Sequence, residues 1–162
     1  MKNRKVLYIT QAAMIAALYV VLTFIVNAVG LASGVIQIRL SEALCILPVF
    51  TTAAIPGLFV GCLLANLLTG AVIWDVIFGS LATLIGAVGT WLLKKYIYAA
   101  VIPPIVSNMI IVPLVLRYAY HLEDAMWFMV LTVGAGEVIS CGNLGIMLYF
   151  ALGKRKTQMS IA

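Results

Sequence analysis

Between Ala125 and Leu152 the chain is apolar apart from a few small polar side chains, and it carries one charge, Glu137, directly behind Gly134-Ala135-Gly136. As a helix this run is long enough to cross a hydrocarbon core of roughly 30 Å. Glu137 falls about twelve residues in, roughly 18 Å along the axis and so near mid-depth. A carboxylate there costs on the order of a few kcal/mol unless a partner, a cavity or a ligand meets it. The two glycines strip side chains from the adjoining backbone, so that something bulky can approach. The run therefore predicts either the floor of a binding site or a carboxyl that is protonated or hydrogen-bonded to another helix.

The rest of the chain forces the same solvent. Of 162 residues 65% are hydrophobic and only 9% charged, with a mean hydropathy of +1.18. A water-soluble fold of this size cannot bury so much apolar surface, which predicts an all-α integral membrane protein with residues 1–162 as a single membrane domain. The net charge of +5 is no sign of nucleic acid binding. Eight of the ten basic residues form three clusters: Lys2, Arg4 and Lys5; Lys94 and Lys95; and Lys154, Arg155 and Lys156. Clusters at the ends of apolar runs mark cytoplasmic flanks. Cys45, Cys62 and Cys141 lie inside apolar runs without CxxC spacing, which predicts packed thiols and neither a disulfide set nor a metal site.

Six transmembrane helices are expected, at about 9–30, 41–55, 57–72, 75–93, 96–116 and 125–152. The first is too long for a signal-peptide core and is read as retained. It carries Ala12, Ala13, Ala16 and Ala17, a small-residue stripe that lets another helix come close in lipid, either inside the bundle or on another subunit. Ser41 is placed to cap the second helix. Arg39 and Glu42 form either an interfacial ion pair or part of a ligand site. Pro56-Gly57 and Gly70 to Asp75 are the expected turns. Asp75, Gly79, Thr83, Gly86 and Thr90 recur at helical spacing, which makes a polar, small stripe along one face. In the fifth helix Pro103-Pro104 leaves carbonyls one turn earlier without their N–H partners, which other groups must satisfy at membrane depth. Six crossings put both termini in the cytoplasm, with eight basic residues inside and only Arg39 and Arg117 outside.

All five acids (Glu42, Asp75, Glu123, Asp124 and Glu137) then map to the outer half or the outer loops. An outward site of this kind suits a cationic or donor-rich ligand, such as an amine or a guanine-like edge. Glu137 accepts parallel N–H bonds while Asn108 offers both a donor and an acceptor, a pairing able to read a purine-like face. Asn66 and Asp75 either line a cavity or hold neighbouring helices together. Enzymatic chemistry lacks its parts: the sequence has no Walker lysine, no histidine within a span, no metal cluster and no paired intramembrane aspartates. A small bundle with a pocket and no engine reads as a binding subunit that draws energy from a partner.

Several ordered segments resemble a known family. They are Ile38-Arg39-Leu40-Ser41-Glu42-Ala43-Leu44 with Leu47-Pro48, Gly61-Cys62-Leu63-Leu64-Ala65-Asn66, Asp75 through Thr83, Asn108 behind the proline pair, and Gly136-Glu137. Over about residues 10 to 152 the chain resembles the substrate-binding S components of energy-coupling factor (ECF) transporters, most closely the QueT group for queuosine precursors. The resemblance implies a six-helix S-component bundle in the bacterial cytoplasmic (inner) membrane, capturing a 7-deazapurine such as 7-aminomethyl-7-deazaguanine. It implies a transmembrane T protein and two cytoplasmic ATPases as partners, with no cofactor of its own. Ala12, Ala13, Ala16 and Ala17 become the T-protein docking face. Arg39, Glu42, Asn66, Asp75, Asn108 and Glu137 become candidates around the ligand. An S component for another vitamin or nucleobase, and a structural membrane protein without a ligand, remain as alternatives at this stage.

Overall fold

The computed structural model describes residues 2–30 and 37–159. The part of the first connector from Leu31 to Ile36, including Gly34, lies outside them, as do the side chains of Lys2 and of Lys154, Arg155 and Lys156. Every described element is helical. The order is α1 (Lys2–Val29), a 3₁₀ segment (Leu40–Val49), α2 (Ala54–Leu68), α3 (Ile73–Leu92), a single turn α4 (Ile97–Ala100), α5 (Ile102–Tyr118) and α6 (Met126–Glu137). A π-helical stretch (Val138–Leu144) then carries α6 without a break into α7 (Gly145–Met159). Among the described residues four helices are long and apolar enough to cross a membrane: Asn3–Val29, Ile73–Leu92, Ile97–Tyr118 and Met126–Gly153.

The expected α-helix at 41–55 is a shorter 3₁₀ segment of ten residues. Pro48 inside it has no N–H to give to Leu44, which weakens an α-helical ladder there. The wider 3₁₀ rise carries ten residues about 20 Å, where an α-helix would cover about 15 Å. Ser41 makes no side-chain cap; its hydroxyl instead pairs with Thr23 at 3.1 Å. The turn expected at Pro56-Gly57 falls earlier, before Ala54, and both residues lie in the first turn of α2. A proline there loses no hydrogen bond, because the first N–H groups of a helix have no intrahelical acceptor.

The 3₁₀ segment occupies the middle. α1 packs on α2, α2 on α3, α3 on α5 and α5 on α6, while the segment touches α1, α2, α3, α7 and the π stretch. Small residues set the closest approaches. Ala12 and Ala16 of α1 face Gly57 and Gly61 of α2: a Cβ on Gly57 would stand 2.8 Å from the Ala12 carbonyl oxygen, and one on Gly61 3.0 Å from the Ala16 Cα. The alanine stripe is therefore divided, with Ala16 buried and Ala13 and Ala17 exposed. The α3 stripe is buried throughout. A Cβ on Gly86 would stand 2.7 Å from the Pro104 Cα, so α3 and α5 touch backbone to backbone.

The proline pair finds its replacement partners in this contact. Pro104 cannot bond the Ala100 carbonyl, and Thr90 of α3 donates its hydroxyl to that oxygen at 2.8 Å. Ser107 returns the contact, donating to the Ala82 carbonyl at 3.0 Å. Two outcomes follow from this packing. Gly61→Leu should separate α1 from α2 and lower the melting temperature of the detergent-purified protein by several degrees, whereas Val60→Leu on the exposed side should not. Thr90→Val keeps the shape but leaves the Ala100 carbonyl bare, a loss of about 1–3 kcal/mol, and Thr90→Ser should restore most of it in the same melting assay.

Candidate functional site

A cavity of about 450 Å³ opens at the end of the bundle where α2 meets α3 and α5 gives way to its connector. Its walls come from the C-terminal half of α1 (Tyr19, Thr23, Val26, Asn27), the connector residues Gln37 and Arg39, Ser41, the α2–α3 corner (Asn66, Thr69, Gly70, Ala71, Asp75) and Leu116, Tyr120 and Leu122. Gly70 turns that corner at φ +75°, a conformation open to glycine and strained for other residues.

Asp75 stands in the first turn of α3 and is buried. Its Oδ2 accepts the Tyr120 hydroxyl at 3.1 Å, and the same phenolic oxygen accepts the Val72 N–H at 3.3 Å. The Tyr120 phenol is pushed above its usual pKa by burial and by the Asp75 charge, so it stays a donor at neutral pH. Asn66 of α2 donates to the Asp75 backbone carbonyl at 3.3 Å. A Cβ on Gly79 would come within 3.0 Å of the Asn66 Nδ2 and 3.2 Å of the Asp75 Oδ1. Asn66 and Asp75 thus do both things open to them: they fasten α2 to α3, and they line the cavity.

Arg39, in the connector, lines the same cavity. Its backbone N–H donates to the Ser140 hydroxyl of the π stretch at 3.1 Å. Burial disfavours its charged form, but the negative field of Asp75, followed by Tyr19, Glu42 and Glu137, outweighs that and raises its pKa above the usual value. The guanidinium is therefore held charged at the cavity wall. The expected ion pair with Glu42 does not form among the described residues, because the Glu42 carboxylate is engaged elsewhere: Tyr19 Oη donates to its Oε1 and Cys45 Sγ to its Oε2 at 3.1 Å.

Glu42 and Glu137 lie behind the wall. Tyr19 and Ser41 line the cavity above Glu42, and neither Glu137 nor Asn108 is among the lining residues. Glu137 is buried with Asn108 of α5 beside it and Cys141 Sγ 3.2 Å from its Oε2. The same thiol lies 3.3 Å from the Glu42 carbonyl oxygen, so its one proton serves either acceptor. Glu42, Cys45 and Cys141 offer metal-ligand atoms within 4.8 Å of one another, where the sequence suggested packed thiols alone; both thiols also hydrogen-bond to the two acids. The space cleared by Gly134 and Gly136 is filled from within the protein, by Met109 on one and by the Gln37 carbonyl on the other.

Of the six expected site residues, the fold brings Arg39, Asn66 and Asp75 to one cavity and leaves Glu42, Glu137 and Asn108 buried outside its lining. The sequence reading missed Tyr19, Gln37 and Tyr120. Tyr19 and Gln37 carried a faint signal, as isolated polar groups in or beside apolar runs. Tyr120 carried none, since a loop tyrosine at a membrane interface is ordinary.

Comparison with known proteins adds the family. The chain is 38% identical over 85 residues to the queuosine precursor transporter QueT of Lactococcus lactis subsp. cremoris (strain MG1363), an alignment that spans 52% of this chain and only half of the relative. No solved structure matches. The family model described as QueT transporter, a family of transporters and not of enzymes, matches residues 9–154. With nearly its whole length matched, the chain belongs to the QueT transporter family.

Proposed function

We propose that this protein is the substrate-binding S component of an ECF importer in the bacterial cytoplasmic membrane. It captures a queuosine precursor of the 7-deazaguanine type, such as 7-aminomethyl-7-deazaguanine, in the cavity between α1, α2, α3 and the connector after α5. The observation that carries this reading is the polar cavity itself, with a charged guanidinium, a carboxylate and an amide facing one space inside an apolar bundle. A cavity of about 450 Å³ is of the size small-molecule sites have. Arg39 suits the 6-oxo group of the base, and the Asn66 carboxamide oxygen can accept along its edge. Glu42, Glu137 and Asn108 form the supporting layer, with Glu42 acting through Tyr19.

In this reading the chain crosses the membrane six times. The 3₁₀ segment runs from Arg39 at the cavity towards Thr51 and Thr52, which meet Gln11 and Tyr8 near the start of α1; α2 then returns. Lys94 and Lys95 lie at the far end of α3 from the cavity, so the positive-inside rule puts both termini in the cytoplasm and the cavity mouth outside. A T protein with two ATPases supplies the drive. The exposed residues Ala13 and Ala17 offer the smooth strip on α1 that docks the T protein, while Ala12 and Ala16 bring α1 and α2 together behind it.

Calorimetry on the purified protein should register saturable binding of 7-aminomethyl-7-deazaguanine and none of biotin or riboflavin. Arg39→Ala should weaken it at least tenfold, about 1.4 kcal/mol. Glu137→Gln, one layer back, should change it by no more than ~3-fold. Binding of an unrelated vitamin in place of the deazapurine would reassign the substrate. Replacing both exposed alanines (Ala13→Trp with Ala17→Trp) should abolish co-purification with the T protein while ligand affinity stays unchanged. Retention of the complex would remove that face from the interface.

A further inference from the structure

One guanidinium, Arg39, lies in the field of three carboxyl groups, Asp75 on the wall and Glu42 and Glu137 behind it. The two rear acids are answered by neutral donors: Tyr19 and Cys45 at Glu42, Cys141 and Asn108 at Glu137. Asp75 is different. It lines the cavity, is buried to nine-tenths, interacts with the Arg39 charge more strongly than either rear acid does, and among the described residues receives one side-chain hydrogen bond, from the Tyr120 phenol to Oδ2. A carboxylate has about four acceptor positions, so acceptor capacity is left for a donor that enters the cavity. A largely buried carboxyl group with acceptor positions to spare is well matched by a cation that brings its own N–H donors.

We infer that Asp75 is the residue that selects the ligand's charge: it receives an ammonium group carried on the base, so that the cavity takes a cationic deazapurine and discriminates against a neutral one of the same shape. This rests on the deazapurine reading of the site. The division of labour is then between Arg39, which addresses the carbonyl of the base, and Asp75, which addresses its side arm. Tyr120 and Val72 hold the carboxylate at the α3 terminus, so the acceptor is oriented before the ligand arrives. Asn66, bonded to the Asp75 carbonyl, fixes the backbone beneath it.

The test compares 7-aminomethyl-7-deazaguanine with the neutral 7-cyano-7-deazaguanine by calorimetry on the full-length protein. The wild type should prefer the cationic compound by thirtyfold or more. Asp75→Asn should reduce that preference below about threefold, the cationic compound losing far more affinity than the cyano compound, and Asp75→Glu should restore part of the preference. Tyr120→Phe, which leaves the carboxylate in place, should keep the sign of the preference. Equal binding of the two compounds by the wild type overturns the inference and leaves the deazapurine reading standing. Equal losses for both compounds in Asp75→Asn overturn it too, assigning Asp75 a purely structural role. Failure of both compounds to bind the wild type removes the deazapurine reading and this inference with it.

Discussion

A carboxyl group enclosed by apolar helices has to be answered by donors, and the answer given to Glu42 organises the centre of this bundle. Its two oxygens take the Tyr19 hydroxyl from α1 and the Cys45 thiol one turn along the 3₁₀ segment. Its carbonyl lies within reach of the Cys141 thiol from the π stretch. One side chain and its backbone thus gather three elements far apart in the chain. The thiols matter because they are weak donors that pack like small hydrophobes. They satisfy acids without bringing water or a second charge into the core.

The same demand explains the irregular backbone. A 3₁₀ segment, a broken turn before α5 and a π-helical stretch are poor choices in lipid, where each freed N–H or carbonyl needs a protein partner. Here all three face inward or against another helix. The carbonyl released by Pro104 is taken by Thr90. The π stretch turns the Ser140 hydroxyl towards the Arg39 N–H, and so fixes the connector that forms one wall of the cavity. The most irregular elements of the fold are the ones that position its polar residues.

Much of this was legible in residue types. The apolar runs set an all-helical membrane protein, and the α3 stripe from Asp75 to Thr90 announced its buried face by spacing alone. The proline pair announced that some other group must supply a hydrogen bond. Element boundaries were less legible where a local signal had two uses. Pro56-Gly57 reads as a turn, yet it starts α2 and lets α1 approach through Gly57. Gly136 reads as room for a ligand, yet the Gln37 carbonyl fills it. A glycine declares that something comes close and never says what.

By itself the sequence determined the solvent, the helical class and the short set of polar residues that had to be explained, because burying charge in an apolar chain is expensive wherever the helices go. Only the tertiary structure decided which of those residues share a cavity. Glu137, the most conspicuous acid in the chain, is buried outside the cavity lining, while Asp75, at the edge of a helix, lines the cavity together with Arg39 and Asn66. Depth along a single helix follows from a count of residues. Which side chains face a common space depends on how helices distant in sequence are rotated and packed, and contacts such as that of Tyr19 with Glu42 or Tyr120 with Asp75 are made only when the whole bundle closes.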